Sequence, residues 1–163
     1  MEQGNLMVDL LNTRIDYPIL NYYFINLARV EQEKFKEIIQ NMKRRNLYKS
    51  PIHGVYHSEK VCLFAFLLGQ KFGLDEEDMQ ILTDAAMYHD FKRQNDFEDP
   101  FHGMVSANHI EEIVPLGAVY SSRVNLTILK AIIDFHSQPD RKLRLNFDNY
   151  ELPEASFNRY ASR

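Results

Sequence analysis

Ser50–Gly73 reads SPIHGVYHSEKVCLFAFLLGQKFG. Within it Val61, Phe64, Ala65, Leu68 and Phe72 fall at three- and four-residue steps, the period of one helix face. Ser50 suits the cap and Pro51 the first position of that helix, and Gly73 suits its end. Nothing in the stretch alternates as a half-buried strand would. A helix is expected from Ser50–Pro51 through Phe72.

The same period continues outward in both directions. Asp75 opens a second helix with Glu76, Glu77 and Asp78 at the positive end of its dipole, and Met79, Leu82, Ala85 and Ala86 on its inner face. Phe91–Phe101 is polar and contains Pro100, so it reads as a loop. A helix from about His102 to Val114 follows, with Ser106, Ile110 and Ile113 on one face, and Pro115-Leu116-Gly117 breaks it. The last clear helix spans about Ser122 to His136, with Leu126, Leu129, Ile132 and Ile133 inward. Towards the N-terminus, Tyr23, Leu27, Val30, Phe35, Ile38 and Met42 place a helix over roughly Asn21–Arg45. Its basic end, Lys43-Arg44-Arg45, suits the helix dipole and is too short for a nucleic-acid tract. The segment 141–163 is polar, dotted with aromatics and weakly periodic, an irregular tail. No repeat or low-complexity tract occurs, so a single all-α domain over 1–163 is expected, a compact bundle of about five to seven helices.

Composition agrees. The 163 residues favour one domain that can bury a core unaided. With 45% hydrophobic and 26% charged residues the chain resembles soluble globular proteins. A net charge of -4 and a pI of about 5.9 argue against a protein built to hold nucleic-acid backbone, while leaving room for a nucleotide in a small positive pocket. Cys62 is the lone cysteine, which excludes an internal disulfide and multi-cysteine zinc sites. No apolar run reaches membrane length, and MEQGNLMVDLLN lacks the features of a signal peptide, so a cytoplasmic protein is expected.

The histidines do not scatter. His57 lies four residues before Val61 and opens an apolar face; His89 lies four after Ala85 and closes one. His102 heads the face through Ser106 and Ile110, and His136 follows Ile132 by four. A single histidine on such a face is more often a hydrogen-bonded core residue than a ligand. Four of them, with Asp90 directly after His89, point to a metal site between packed helices. Nitrogen and oxygen donors suit manganese, iron, nickel, zinc or magnesium better than copper(I) or an iron–sulfur cluster. His53, one turn before His57, fits equally a group behind the ligands, a substrate contact or an ordinary residue of the helix N-terminus. His109 lies seven residues past His102, about 10 Å along a helix, and reads as structural.

Three stretches together resemble the HD-domain metal-dependent phosphohydrolases. IHGVYHSEKVC at Ile52–Cys62 looks like the family's first histidine motif. AAMYHDFKRQNDFEDPFHGMVSA at Ala85–Ala107 looks like its His-Asp doublet, a basic residue three positions on, and a His-Gly opening the next helix. IIDFHSQPD at Ile132–Asp140 looks like the further histidine motif of the subgroup with extra metal-site histidines. The resemblance covers Ser50 to Asp140 and implies the HD-type helical fold. By it, His57, His89 and Asp90 are metal ligands, and His102 and His136 complete a second position or face the substrate phosphate. Arg93 contacts phosphate, and Asp96 and Asp99 lie beside the substrate or else cap a solvated loop. The family's distal aspartate, in a stretch like DADxLDR, has no counterpart: after His136 the aspartates are Asp140 and Asp148. Either the chain is a fragment, or the last ligand is supplied differently or is missing. A bundle short of one helix leans toward a homodimer.

With such a site, a divalent ion acidifies water and polarises a phosphoryl oxygen, Asp90 orients that water, and Arg93 forks onto a non-bridging oxygen. Neither GxxxxGK[ST], GxGxxG nor GxSxG occurs, which argues against P-loop and serine-nucleophile chemistry. The expected function is metal-dependent hydrolysis of a nucleotide or other small phosphate ester. The alternative is a catalytically deficient HD-like module that binds a nucleotide or a protein.

Overall fold

The computed structural model describes residues 22, 24–41, 47–114, 120 and 122–137. Among these, every regular element is helical: α1 (Arg29–Asn41), α2 (Val55–Phe72), α3 (Glu76–Tyr88), α4 (His102–His109) and α5 (Arg123–Phe135), with a 3-10 turn at Ile110–Glu112. Helix α2 packs along α3, α4 along α5, and α3 against α5, while α1 touches α2. No described helix is long and apolar enough to cross a membrane. The expected break at Pro115–Gly117, the basic Lys43–Arg45, Asp140, Asp148 and the tail 141–163 lie outside the described residues.

Phe35 sits at the centre of the α1–α2 contact, its ring 5.8 Å from Phe24 and 5.2 Å from Phe66. Phe66, Leu63, Ile81, Met87, Ile110, Leu129 and Ile133 continue the core through the other helices. Asp75 caps α3 by accepting from the Asp78 N–H at 2.9 Å, and Gly73 ends α2 at φ 64°, both as the sequence implies. A buried polar pair ties α3 to the segment before α5: the Tyr120 hydroxyl donates to Asp84 at 2.6 Å. Burial pushes the Asp84 carboxyl and the Tyr120 phenol up, and it raises the buried Cys62 thiol as well.

Three expectations are corrected. The helix expected over roughly Asn21–Arg45 is interrupted within its described part, at Asn26–Ala28. Asn26 turns its side-chain amide back onto the Tyr22 carbonyl at 2.6 Å, closing a short helical turn, and α1 restarts at Arg29 with Glu31 accepting from the Ala28 N–H. Helix α2 starts at Val55, not at Pro51. Ser50 does act as a cap, its hydroxyl accepting from the Ile52 and His53 N–H groups, but the turn it closes ends at Gly54 in extended backbone. The buried face of α2 is also rotated from the one expected. Ser58, Glu59, Cys62, Leu63, Ala65, Phe66 and Gly69 point inward, while Phe64, Leu68 and Phe72 are exposed. Two buried polar residues, Ser58 and Glu59, interrupt the true apolar stripe and let the neighbouring one look stronger.

Candidate metal centre

The packing of α2, α3, α4 and α5 brings their histidine-bearing ends to one pole of the bundle. His57 lies in the first turn of α2, His89 follows the last residue of α3, His102 is the first residue of α4, and His136 follows the end of α5. Gly103 makes the α4–α5 approach possible. A Cβ there would stand 2.7 Å from the Ile133 carbonyl oxygen and 2.8 Å from that of Asp134, closer than real Cβ contacts come. The His-Gly pair therefore combines a donor with the contact that delivers it to His136.

Asp90 is the hub. It is nearly fully buried, with 3% of its side chain exposed. On its Oδ2 side lie His53 Nδ1 at 3.2 Å, His89 Nε2 at 3.3 Å and His57 Nε2 at 3.7 Å. Its Oδ1 side faces His102 Nε2 at 3.1 Å, His136 Nε2 at 3.7 Å and Arg93 Nη1 at 3.5 Å. The imidazoles also face one another: His57 and His89 bring their Nε2 atoms to 3.1 Å, and His102 and His136 to 2.8 Å. His89, His102 and His136 each direct Nδ1 at a backbone carbonyl, of Ala86, Asp99 and Ile133 respectively. With Nδ1–H donated outward, each ring turns Nε2 to the centre, where it donates to Asp90 when the ring is protonated and offers a lone pair when it is neutral.

These separations fit a cation. Ligand atoms at ~2.0–2.1 Å from one ion stand about 2.9 Å apart at a right angle and about 3.4 Å apart at the tetrahedral angle. The observed nitrogen–nitrogen and nitrogen–oxygen distances, 2.8 to 3.7 Å, bracket those values. Lone pairs turned toward each other at such range repel unless a proton or a metal ion lies between them. Two groups, His53–His57–Asp90 and His89–Asp90–His136, each keep their donor atoms within 4.8 Å of one another. A divalent ion is therefore a chemically suitable occupant.

Electrostatics follow from the crowding. Burial opposes ionisation of Asp90, but hydrogen bonds to His102, His136 and His89 outweigh it and hold the carboxyl far below its ordinary range. Burial, and then the neighbouring His89, pull the His57 imidazole down to about 4. His102 moves the other way. Burial lowers it, yet the hydrogen bonds to Asp90 and to the Asp99 carbonyl, with the charge of Asp90, leave it raised.

The other expected site residues have structural contacts. The helix ends before His89, so Arg93 sits in a loop rather than one helical turn beyond Asp90. Its Nε donates to the Asn95 carbonyl at 2.8 Å and its Nη2 to that of Phe97 at 2.7 Å, which clamps the loop around Asp90. Asp96, expected beside substrate, accepts from the Ser50 hydroxyl at 2.5 Å and so joins this loop to the turn carrying His53. Asp99 accepts from the Phe101 N–H at 3.2 Å, while its carbonyl orients His102. His109 bonds to the Val105 carbonyl at 2.8 Å on the exposed side of α4, in its expected structural role. Sequence spacing did not reveal the Ser50–Asp96 bond, which joins residues far apart in the chain; the Ser-Pro-x-x-Gly pattern was its one local trace.

Exposure separates floor from rim. The side chains of His89 and His102 are 10% and 11% exposed, whereas those of His53, His57 and His136 are 24%, 26% and 25% exposed. Solvent reaches the centre across the edge formed by these three. No family model, curated protein or solved structure matches the chain.

Proposed function

We propose that the protein is a metal-dependent phosphohydrolase of the HD type, acting on a nucleotide or another small phosphate ester. The observation that carries this reading is the convergence of five imidazoles on both oxygens of one buried carboxylate. His57, His89, His102, His136 and Asp90 are the residues that hold divalent metal. Bound there, the metal supplies Lewis-acid polarisation of a phosphoryl oxygen and makes water a competent nucleophile near neutral pH.

The chain's own groups have separate tasks. Asp90, ionised throughout the physiological range, balances positive charge and joins the two sides of the centre. The carbonyls of Ala86, Asp99 and Ile133 lock three rings in the tautomer that presents Nε2. Arg93 keeps the loop closed on Asp90 and lends positive charge to its Oδ1 side. Substrate and water approach over the His53–His57–His136 rim. Cys62 is fully buried in α2 and its thiol is raised, so it is unsuited to nucleophilic attack.

The Arg93 contacts favour a second reading, a catalytically deficient module of the same type that binds a nucleotide or a protein. A guanidinium already bonded to two carbonyls has less to offer a phosphate. One experiment separates the two. Elemental analysis of the purified chain is expected to find about one or two divalent ions, lost in His89→Ala. The loaded protein is then assayed for phosphate release from p-nitrophenyl phosphate esters and a nucleotide panel. Turnover that disappears in Asp90→Asn supports the hydrolase; bound metal without turnover supports the binding module; no bound metal, even after soaking with manganese or nickel, removes the hydrolase and leaves the binding module.

A further inference from the structure

His53 has contacts that a mere neighbour of the ligands would not need. Its Nδ1 is buried, lies 3.2 Å from Asp90 Oδ2 and makes no hydrogen bond. Its ring stands edge-on to that of His57, with centroids 5.3 Å apart, so both rings address the same carboxylate oxygen. A buried nitrogen without a hydrogen bond is costly, and a cation removes that cost.

The backbone under His53 is held for this purpose. The Ser50 hydroxyl accepts from the His53 N–H at 3.1 Å and donates to Asp96, so the turn is bonded to the loop that carries Asp90. Gly54 closes the turn so tightly that a Cβ would stand 2.1 Å from the Ser50 carbonyl oxygen. His53 is thus fixed relative to Asp90 by contacts within the chain, before any ion arrives.

We propose that His53 Nδ1 is a direct metal ligand on the Oδ2 side of Asp90, which makes the two halves of the centre unequal. The Oδ2 half then offers His53, His57 and His89 with one carboxylate oxygen, a four-donor set for a zinc-like ion. The Oδ1 half offers His102 and His136 with the other oxygen, and so keeps positions for water or substrate. The first ion loads at the Oδ2 half and the second at the Oδ1 half. This inference rests on the proposed metal centre and adds a residue and an order of filling to it.

The test uses the full chain and cobalt(II) as probe. Chelator-competition titration gives the affinity of the first ion, and X-ray absorption at one equivalent counts the imidazoles bound to it. The wild type is expected to show three imidazoles. His53→Ala is expected to show two and to bind the first ion more than about a hundredfold more weakly, beyond the usual effect of a residue that only orients a ligand. Added imidazole is expected to restore the third nitrogen. His53→Gln, which keeps a polar side chain beside Asp90, is expected to lose the same nitrogen, and it serves as the test should His53→Ala not fold. An unchanged affinity and imidazole count in these variants overturns the role of His53 and leaves the metal centre standing. Failure of both the wild type and Asp90→Asn to bind cobalt overturns the centre and this inference together.

Discussion

His57 is expected to make the metal-free protein sensitive to acid. The unfolded chain protonates this imidazole near 6.5, the folded chain only near 4. Between those values the unfolded state holds the extra proton, so the stability due to His57 is full above about pH 6.5 and is lost as pH falls toward about 4. His102, raised in the folded state, contributes with the opposite sign: its share is full below 6.5 and fades as pH rises. Denaturant midpoints of metal-free wild type and His57→Gln, compared at pH 7.5 and pH 5, are expected to show a smaller acid loss in the variant. An equal loss in both would mean that other groups carry the acid response. Metal affinity follows the same direction, because protonated imidazoles cannot ligate.

The short α4 tolerates little at Gly103. Gly103 faces backbone oxygens of Ile133 and Asp134, which cannot swing aside as a flexible side chain does. Gly103→Ala is expected to cost about 1–3 kcal/mol of stability and to weaken binding of the second ion, as His102 is levered away from His136. Thermal melts of the metal-free protein and cobalt titration check the two effects. Helix ends were the most legible part of the sequence. Asp75 and Gly73 both fall where local chemistry places them, because caps depend on neighbours a few residues away, whereas His57 was placed on a face that turns outward. The start of α2 was not legible in the same way. Ser-Pro reads as a helix start whether the helix follows at once or after a closed turn, and the difference lies in the Ser50–Asp96 bond across 46 residues.

For the whole bundle, the inward direction of α2 was the least legible feature. Glu59 is fully buried, a position charged residues rarely take, and its presence hid the true face behind a stripe of phenylalanine and leucine that faces outward. Two phenylalanines on this helix offer a direct comparison. Phe66, fully buried against Phe35, is expected to cost about 3–5 kcal/mol on replacement by alanine. Phe72, 60% exposed, is expected to cost less than about 1 kcal/mol. Equal losses in urea denaturation would mean that the outward stripe is covered in solution. Phe72 and Leu68 flank a groove of about 210 Å³ with Leu74, Leu82 and Ile132, so any such cover would seat on a ready apolar surface.

The meeting of four helix ends at one carboxylate also bears on how the chain is tethered. Cations held in both halves, joined through Asp90, would cross-link the turn before α2 to the end of α5, enclosing most of the described fold in one covalent-like loop. In the unfolded chain that closure would be entropically dear, and it is already made in the native one. Chelation should therefore act on this protein as reduction acts on a disulfide-bonded one, lowering the melting temperature of the whole bundle, including segments far from the ion, because one core runs through all its helices.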